Sequence, residues 1–375
     1  MKGYIRKRGK GYSYTIDIGK DPITGKRKQK TKSGFKTKKE AQAALNEVVY
    51  EVNKGIYILD NNCTFKELAE EWLEHNKHKW AQTTFEVTYR MVMNQIVTKF
   101  PAIKVQDITP LHGKKLLADL SESLAPSTVN RIMSLTSQIL NYAVDTELIN
   151  KNPFKSIPHI RERESDKKTW TFEEINQFLK TAVLDNPFYY RIVFVTVFTG
   201  MRKGEIFGLR KTDIDFKNNI ININQSLHET NEHGLILGGP KTKTSKRAIA
   251  VNEDVIKILK EQIRRNNECK LALGSGYEDN GLVFCREDGI PYRPSSLNRP
   301  FNRLTKKAGV PQIRFHDLRH THATLLLETG ANPKVIADRL GHADIKTTLN
   351  TYSHVTANMQ DKAMNDFVNA YKMSK

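Results

Sequence analysis

The sequence predicts a multidomain α+β chain: a small N-terminal β-sheet-plus-helix module, an all-α middle domain, and a mixed, mainly α C-terminal domain with a small antiparallel sheet. Three observations predict it. Apolar and polar residues alternate with the period of a strand near the N-terminus. Two Thr-x-x-Glu capping boxes, Thr64 to Glu67 and Thr171 to Glu174, each open an amphipathic run. A proline-containing, charge-dense stretch separates those runs. At 375 residues and 38% hydrophobic side chains, the chain is long enough for two or three cores.

In residues 1–55, Tyr12, Tyr14, Ile16 and Ile18 alternate with polar partners, Asp21 to Gly25 reads as a turn, and Lys26 to Phe35 reads as a second strand. A helix over Thr37 to Asn53 follows, with Ala41, Ala44, Leu45, Val48, Val49 and Val52 on one face, and Lys54 to Asn62 is a hinge. In residues 64–152, Phe65, Leu68, Ala69, Trp72 and Leu73 form the buried stripe of a first helix. Further helices are expected over 83–100, 109–120 and 127–145. Residues 153–169 hold Pro153, Pro158 and the run Arg161 to Lys168, and are read as the interdomain linker. Residues 170–375 mix long helices with short strands near 220–227 and 247–251. In the last segment, 356–375, Met359, Ala363, Phe367 and Val368 share a helical face that packs on its own domain or docks on a neighbouring protomer.

The charge is uneven. Sixty Lys and Arg against 41 Asp and Glu leave a net +19, yet residues 1–39 hold fourteen cations against only Asp17 and Asp21, a net +12. That is the footprint of a polyanion binder, because each neutralised phosphate releases condensed counterions. The strand pattern makes it a folded module whose basic strands enter a DNA groove rather than a solvated tail. Its candidate DNA contacts are Arg6, Arg8, Tyr12, Tyr14 and Arg27. No apolar run reaches the ~18 residues of a membrane span, and the N-terminus lacks the apolar stretch of a signal peptide, so a cytoplasmic location is expected. Cys63, Cys269 and Cys285 are scattered and in no Cys/His spacing, so neither a disulfide framework nor a zinc site is expected.

Four clusters in the C-terminal domain carry chemistry. Thr199-Gly200-Met201-Arg202-Lys203-Gly204-Glu205 ends an apolar helix and presents Arg202 at a helix boundary, where its planar fork grips phosphate oxygens and Glu205 orients it. Pro240 to Arg247 is a polar hairpin tip that puts a lysine on a loop. His316-Asp317-Leu318-Arg319-His320-Thr321-His322 sets His316 and Arg319 at i and i+3, facing the same way, and turns His320 and His322 aside as structural residues. Leu340-Gly341-His342 stands ten residues before Tyr352. Each cluster alone is unspecific. Together, two arginines, a lysine, two histidines and a tyrosine, with no carboxylate pair or metal constellation, suit attack on a phosphodiester by a protein hydroxyl. Arg202 and Arg319 neutralise the non-bridging oxygens, Tyr352 attacks phosphorus, His316 takes the phenol proton, Lys241 protonates the departing 5′ oxygen, and His342 hydrogen-bonds the phosphate. The ester energy stays in the phosphotyrosine, so the chemistry requires neither ATP nor a metal.

In order and spacing, Arg202, Lys241, His316 with Arg319, His342 and Tyr352 resemble the tyrosine recombinase (phage integrase) family, and the likeness covers the whole chain. The resemblance selects Lys241 among Lys241, Lys243 and Lys246, because the family's lysine sits at the start of this turn. It implies an arm-site DNA-binding domain over 1–55, a helical core-binding domain over 64–152 and a catalytic domain over 170–375. It implies a site-specific recombinase that integrates and excises a mobile element in a bacterial host cell through 3′-phosphotyrosyl links and a Holliday junction, with no cofactor. The implied partners are double-stranded DNA at core and arm attachment sites, three further protomers in a homotetramer, an excision factor and a DNA-bending host protein, with no membrane. The separate basic module argues against a relaxing topoisomerase with the same nucleophile, and the complete set of six against a regulator without catalysis.

Overall fold

A computed structural model describes residues 3–20, 25–54, 57–58, 61–100, 102–162, 168–230, 232–239, 246–342, 344–345, 364, 367–368 and 371–372. The chain divides into two units, 1–163 and 164–375.

In the first unit, β1 (Gly3–Arg8), β2 (Gly11–Lys20) and β3 (Arg27–Phe35) form an antiparallel sheet in that order. The alternation of β2 places Tyr14 and Ile16 against Leu45 of α1 (Lys38–Asn53), a core of their own. β1 goes beyond the two strands legible in the sequence: it pairs Gly3 with Ile16 through to Arg8 with Gly11. Thr37 caps α1 in a box with Glu40.

The helical part comprises α2 (Phe65–Lys77), α3 (Gln82–Met91), α4 (Pro110–Ser121) and α5 (Pro126–Asp145). Thr64 and Glu67 form the capping box read from the sequence, a device that contributes about 1 kcal/mol. The stripe Phe65, Leu68, Ala69, Trp72 and Leu73 packs on Val129, Ile132, Ile139 and Leu140 of α5. Residues 153–160, read as linker, belong to this core instead. Phe154 is 3% exposed within it. Asn130 donates to the Ile160 carbonyl and accepts from the Ile160 N–H, each at 2.8 Å, while Asn152 donates to Ser137 O at 3.0 Å. Asn152 Oδ1 also accepts from the Phe154 N–H at 2.8 Å, so Asn130 and Asn152 satisfy backbone groups of a segment whose prolines forbid a helix and tie it to α5.

The second unit opens with Trp170, 1% exposed, whose Nε1–H donates to Pro311 O at 2.8 Å. Its helices are α6 (Phe172–Asp185), α7 (Pro187–Thr199), α8 (Lys203–Gly208), α9 (Glu253–Leu273), α10 (Asn298–Ala308), α11 (Asp317–Glu328) and α12 (Pro333–Leu340). The second capping box, Thr171 with Glu174, starts α6 as expected. β4 (Ile214–Asp215), β5 (Ile220–Ile223) and β8 (Arg247–Ala250) make one small antiparallel sheet, and β6 (Ser226–Thr230) with β7 (Gly234–Gly238) another. The expected strand 220–227 breaks at Asn224 and Gln225 into β5 and β6. β7 pairs with β6 and β8 pairs with β5, while the lysine-bearing residues 240–245 expected as a hairpin tip lie outside the described residues.

Candidate active site

Helix ends and one strand end build the site. α7 stops at Gly200, whose φ of +67° is the left-handed conformation that L side chains resist. A Cβ there would lie 2.6 Å from the His322 ring and 2.7 Å from Leu340. Two residues on, Arg202 precedes α8. Its backbone N–H donates to Glu205 Oε2 at 2.8 Å and its Nη1 to Glu205 Oε1 at 2.9 Å, the orientation by Glu205 read from the spacing. The Arg202 side chain is 37% exposed, that of Glu205 5%.

Arg314 donates to the Asp317 carboxylate from its backbone N, Nε and Nη2, at 2.8, 3.1 and 2.9 Å. This clamp fixes the turn that carries His316 at the start of α11. His316 is exposed as a residue, but atoms packed around its ring desolvate it. That desolvation, and then the Arg319 charge, lower the imidazole below its ordinary pKa. His320, expected to turn aside, instead sets its ring edge-to-face on His316 with centroids 5.5 Å apart. The reason is geometric, since i and i+4 differ by only about 40° around a helix.

Arg319, 3% exposed, donates to Gly200 O at 2.8 Å and Leu340 O at 2.5 Å. Arg202 Nη2 reaches Gly341 O at 3.3 Å, and Arg247 Nε reaches Arg339 O at 2.6 Å. Three arginines from separate segments therefore engage three consecutive carbonyls at the C-terminus of α12, where unpartnered C=O groups and the helix dipole favour cations. His342 comes next. It is half-buried, and burial, then Arg319 and Arg202, lower its pKa to about 4, so its ring is neutral at neutral pH.

Arg247 is a site residue that its sequence context, a polar run, does not single out. Its side chain is 6% exposed and grips the Glu205 carboxylate with Nη1 at 3.0 Å and Nη2 at 2.8 Å. Burial alone would push the Glu205 carboxyl up, but the Arg247 hydrogen bonds and charge, with the Arg202 N–H and charge, hold it below the usual carboxylate range. One signal was available: Arg247 and Ile249 share the inward face of β8.

Of the six residues read from the sequence, Arg202, His316, Arg319 and His342 stand on these connected helix ends, while Lys241 and Tyr352 lie outside the described residues. So does most of 356–375. In the N-terminal sheet Arg6 and Arg8 are exposed on β1, with the Arg6 guanidinium 4.7 Å over the Tyr4 ring. Tyr12 is half-buried, and Arg27 is exposed and paired with Asp17. Tyr14 is a correction: it is 2% exposed with its ring 5.7 Å from Phe35, so it is a core residue and not a DNA contact.

With arginines and histidines gathered on helix ends, the chain is a tyrosine-type site-specific recombinase, as its family match and relatives show. The chain belongs to the phage integrase family: the family model matches residues 168–359, an arm DNA-binding domain model matches 4–52, and the phage integrase central domain model matches 65–158. It is 29% identical to a XerC-like tyrosine recombinase of Caldanaerobacter subterraneus subsp. tengcongensis, over 96% of each chain. It is 27% identical to the ICEBs1 integrase of Bacillus subtilis, over 93% of this chain and 94% of that one. Among solved structures, the Tn1549 transposon integrase in complex with transposon right end DNA superimposes with a TM-score of 0.70 at 23% identity, covering 81% of this chain and 99% of that one. A lambda integrase tetramer bound to a Holliday junction does so at 0.58 and 18%, covering 91% and 95%.

Proposed function

We propose that the chain integrates and excises a mobile element by cutting and rejoining DNA at core attachment sites, with Tyr352 as nucleophile. The Tyr352 oxygen attacks the scissile phosphorus and the bond to the 5′ oxygen breaks. His316 takes the phenol proton and Lys241 supplies one to the departing oxygen. In rejoining, a 5′ hydroxyl from the partner duplex attacks phosphorus and the phenolate leaves, so bond energy is conserved. Arg202 and Arg319 hold the two non-bridging oxygens, and His342 donates a hydrogen bond to the same phosphate. The observation that carries this reading is the convergence of Arg202 and Arg319 on the carbonyls of Leu340 and Gly341, directly before His342.

The arm domain over 1–55 holds distant DNA sites through Arg6, Arg8, Tyr12 and Arg27, while the helical and catalytic domains clamp the crossover site. Four protomers act on two sites, as the lambda tetramer on a Holliday junction suggests. An excision factor and a DNA-bending host protein set direction in the bacterial cytoplasm. The test is recombination between plasmids carrying the two junction sequences of the element. The reading expects reciprocal products and a Holliday junction that accumulates when the second strand exchange is blocked; double-strand breaks without junctions would refute it.

A further inference from the structure

Glu205 is the hub of a buried charge cluster, and the stoichiometry of that cluster matters for catalysis. One carboxylate, 5% exposed, accepts from both Arg202 and Arg247. Were Arg202 and Glu205 alone, they would form a neutral pair, and the arginine would meet a phosphate with its charge already spent on the carboxylate. The second guanidinium makes the trio net positive. Both arginines hold the carboxylate, but Arg247 is 6% exposed and Arg202 37% exposed, so of the two it is Arg202 whose guanidinium is also open to solvent. Arg247 also ties this pair to α12 through Arg339 O at 2.6 Å, two carbonyls before the one that Arg202 engages. A fork with two terminal nitrogens and Nε is needed to make both links at once; a lysine ammonium has neither the geometry nor the reach.

We propose that Arg247 is a positioning residue for strand cleavage: it takes up the Glu205 carboxylate so that the Arg202 charge remains available to the scissile phosphate, and it fixes the α12 end against Arg202. This rests on Arg202 binding a non-bridging phosphate oxygen. Removing Arg247 leaves a buried carboxylate with one partner, which pulls the Arg202 guanidinium inward and cancels its charge. Arg247 acts through Arg202 and does not touch DNA.

The full-length protein is tested on nicked duplexes spanning the element's junction, carrying either the native scissile phosphate or a methylphosphonate, in which a methyl group replaces one non-bridging oxygen and removes the negative charge. Single-turnover formation of the covalent adduct is measured for wild type, Arg247→Met, Arg247→Lys and Arg202→Ala. Arg247→Met is expected to slow cleavage of the native phosphate by about tenfold to a hundredfold, as loss of a supporting partner does. It is expected to bind the duplex within about twofold of wild type and to fall much less behind wild type on the methylphosphonate. Arg247→Lys should show the same selectivity at smaller size, and carries the test if the methionine variant does not fold. Equal slowing on both substrates, with Arg202→Ala still selective for the charged one, would overturn the proposal and leave the role of Arg202 intact. Loss of selectivity in Arg202→Ala itself would overturn the underlying reading of Arg202.

Discussion

Arg339 donates its Nε proton to Nε2 of His322 across 3.0 Å, and that contact assigns the histidine's tautomer. With Nε2 accepting, Nδ1 carries the hydrogen and donates to Val197 O at 2.7 Å. Arg339 continues to Ala250 O at 2.7 Å and Phe198 O at 3.0 Å, so one buried histidine and one arginine join α7, α11, α12 and the end of β8 behind the site. Burial, then the Arg339 charge, lower the His322 pKa to about 3.

The first prediction concerns acid stability. A histidine held neutral in the fold contributes no pH dependence above its unfolded pKa near 6.5. Below that the unfolded chain takes up the proton first, so stability falls as pH drops toward the folded value. From this residue the loss is about 2 kcal/mol at pH 5. Denaturant unfolding at pH 7 and pH 5 should show a smaller difference for His322→Gln than for wild type; an unchanged difference would remove His322 as its source.

Gly200→Ala should destabilise by about 2–4 kcal/mol, combining left-handed strain with overpacking. The physical cause is the φ of +67° together with contacts at 2.6 and 2.7 Å to His322 and Leu340. The unfolding midpoint measures it, and a midpoint equal to wild type contradicts the argument.

The pH profile of cleavage follows from His316, whose pKa lies below 6.5. In its proposed role as base it works unprotonated, so the midpoint of the decline in adduct formation should lie on the acid side of an ordinary histidine. A half-loss above pH 6.5 would rule His316 out as the proton acceptor.

Arm-site binding should be strongly salt-dependent. If about six phosphates are contacted by residues 1–53, the log–log slope is about −5. Titrating arm-site DNA at several salt concentrations tests this, with removal of residues 1–53 flattening the slope while cleavage of core duplexes remains measurable. Loss of all cleavage in the truncated chain would show that the charge is not divided between two functions.

What was legible in the sequence is what local physics determines. Thr64 with Glu67 and Thr171 with Glu174 are self-contained caps, and the stripes of α2 and α5 follow from periodicity alone. What tertiary contacts determine was not legible. β1 has too few apolar residues to stand out and becomes a strand through its register with β2. Pro153 and Pro158 read as linker, yet Phe154 finds a core and Asn130 and Asn152 hold the segment. Tyr14 alternates with polar neighbours like a groove contact, but its strand face turns it into the core with Ile16 and Leu45. Arg247 sat at the edge of a polar run whose bland reading is a solvated turn, and its partner Glu205 is 42 residues away.

The proposed covalent link between Tyr352 and DNA is open to direct chemical identification. The wild-type chain is incubated with a nicked suicide duplex spanning the junction, the adduct is digested, and the modified peptide is sequenced by mass spectrometry beside a Tyr352→Phe control. A nucleotide mass is expected on the peptide containing Tyr352, with no adduct in the variant. An adduct that persists in Tyr352→Phe, or maps to Tyr189, Tyr190 or Tyr371, would contradict it.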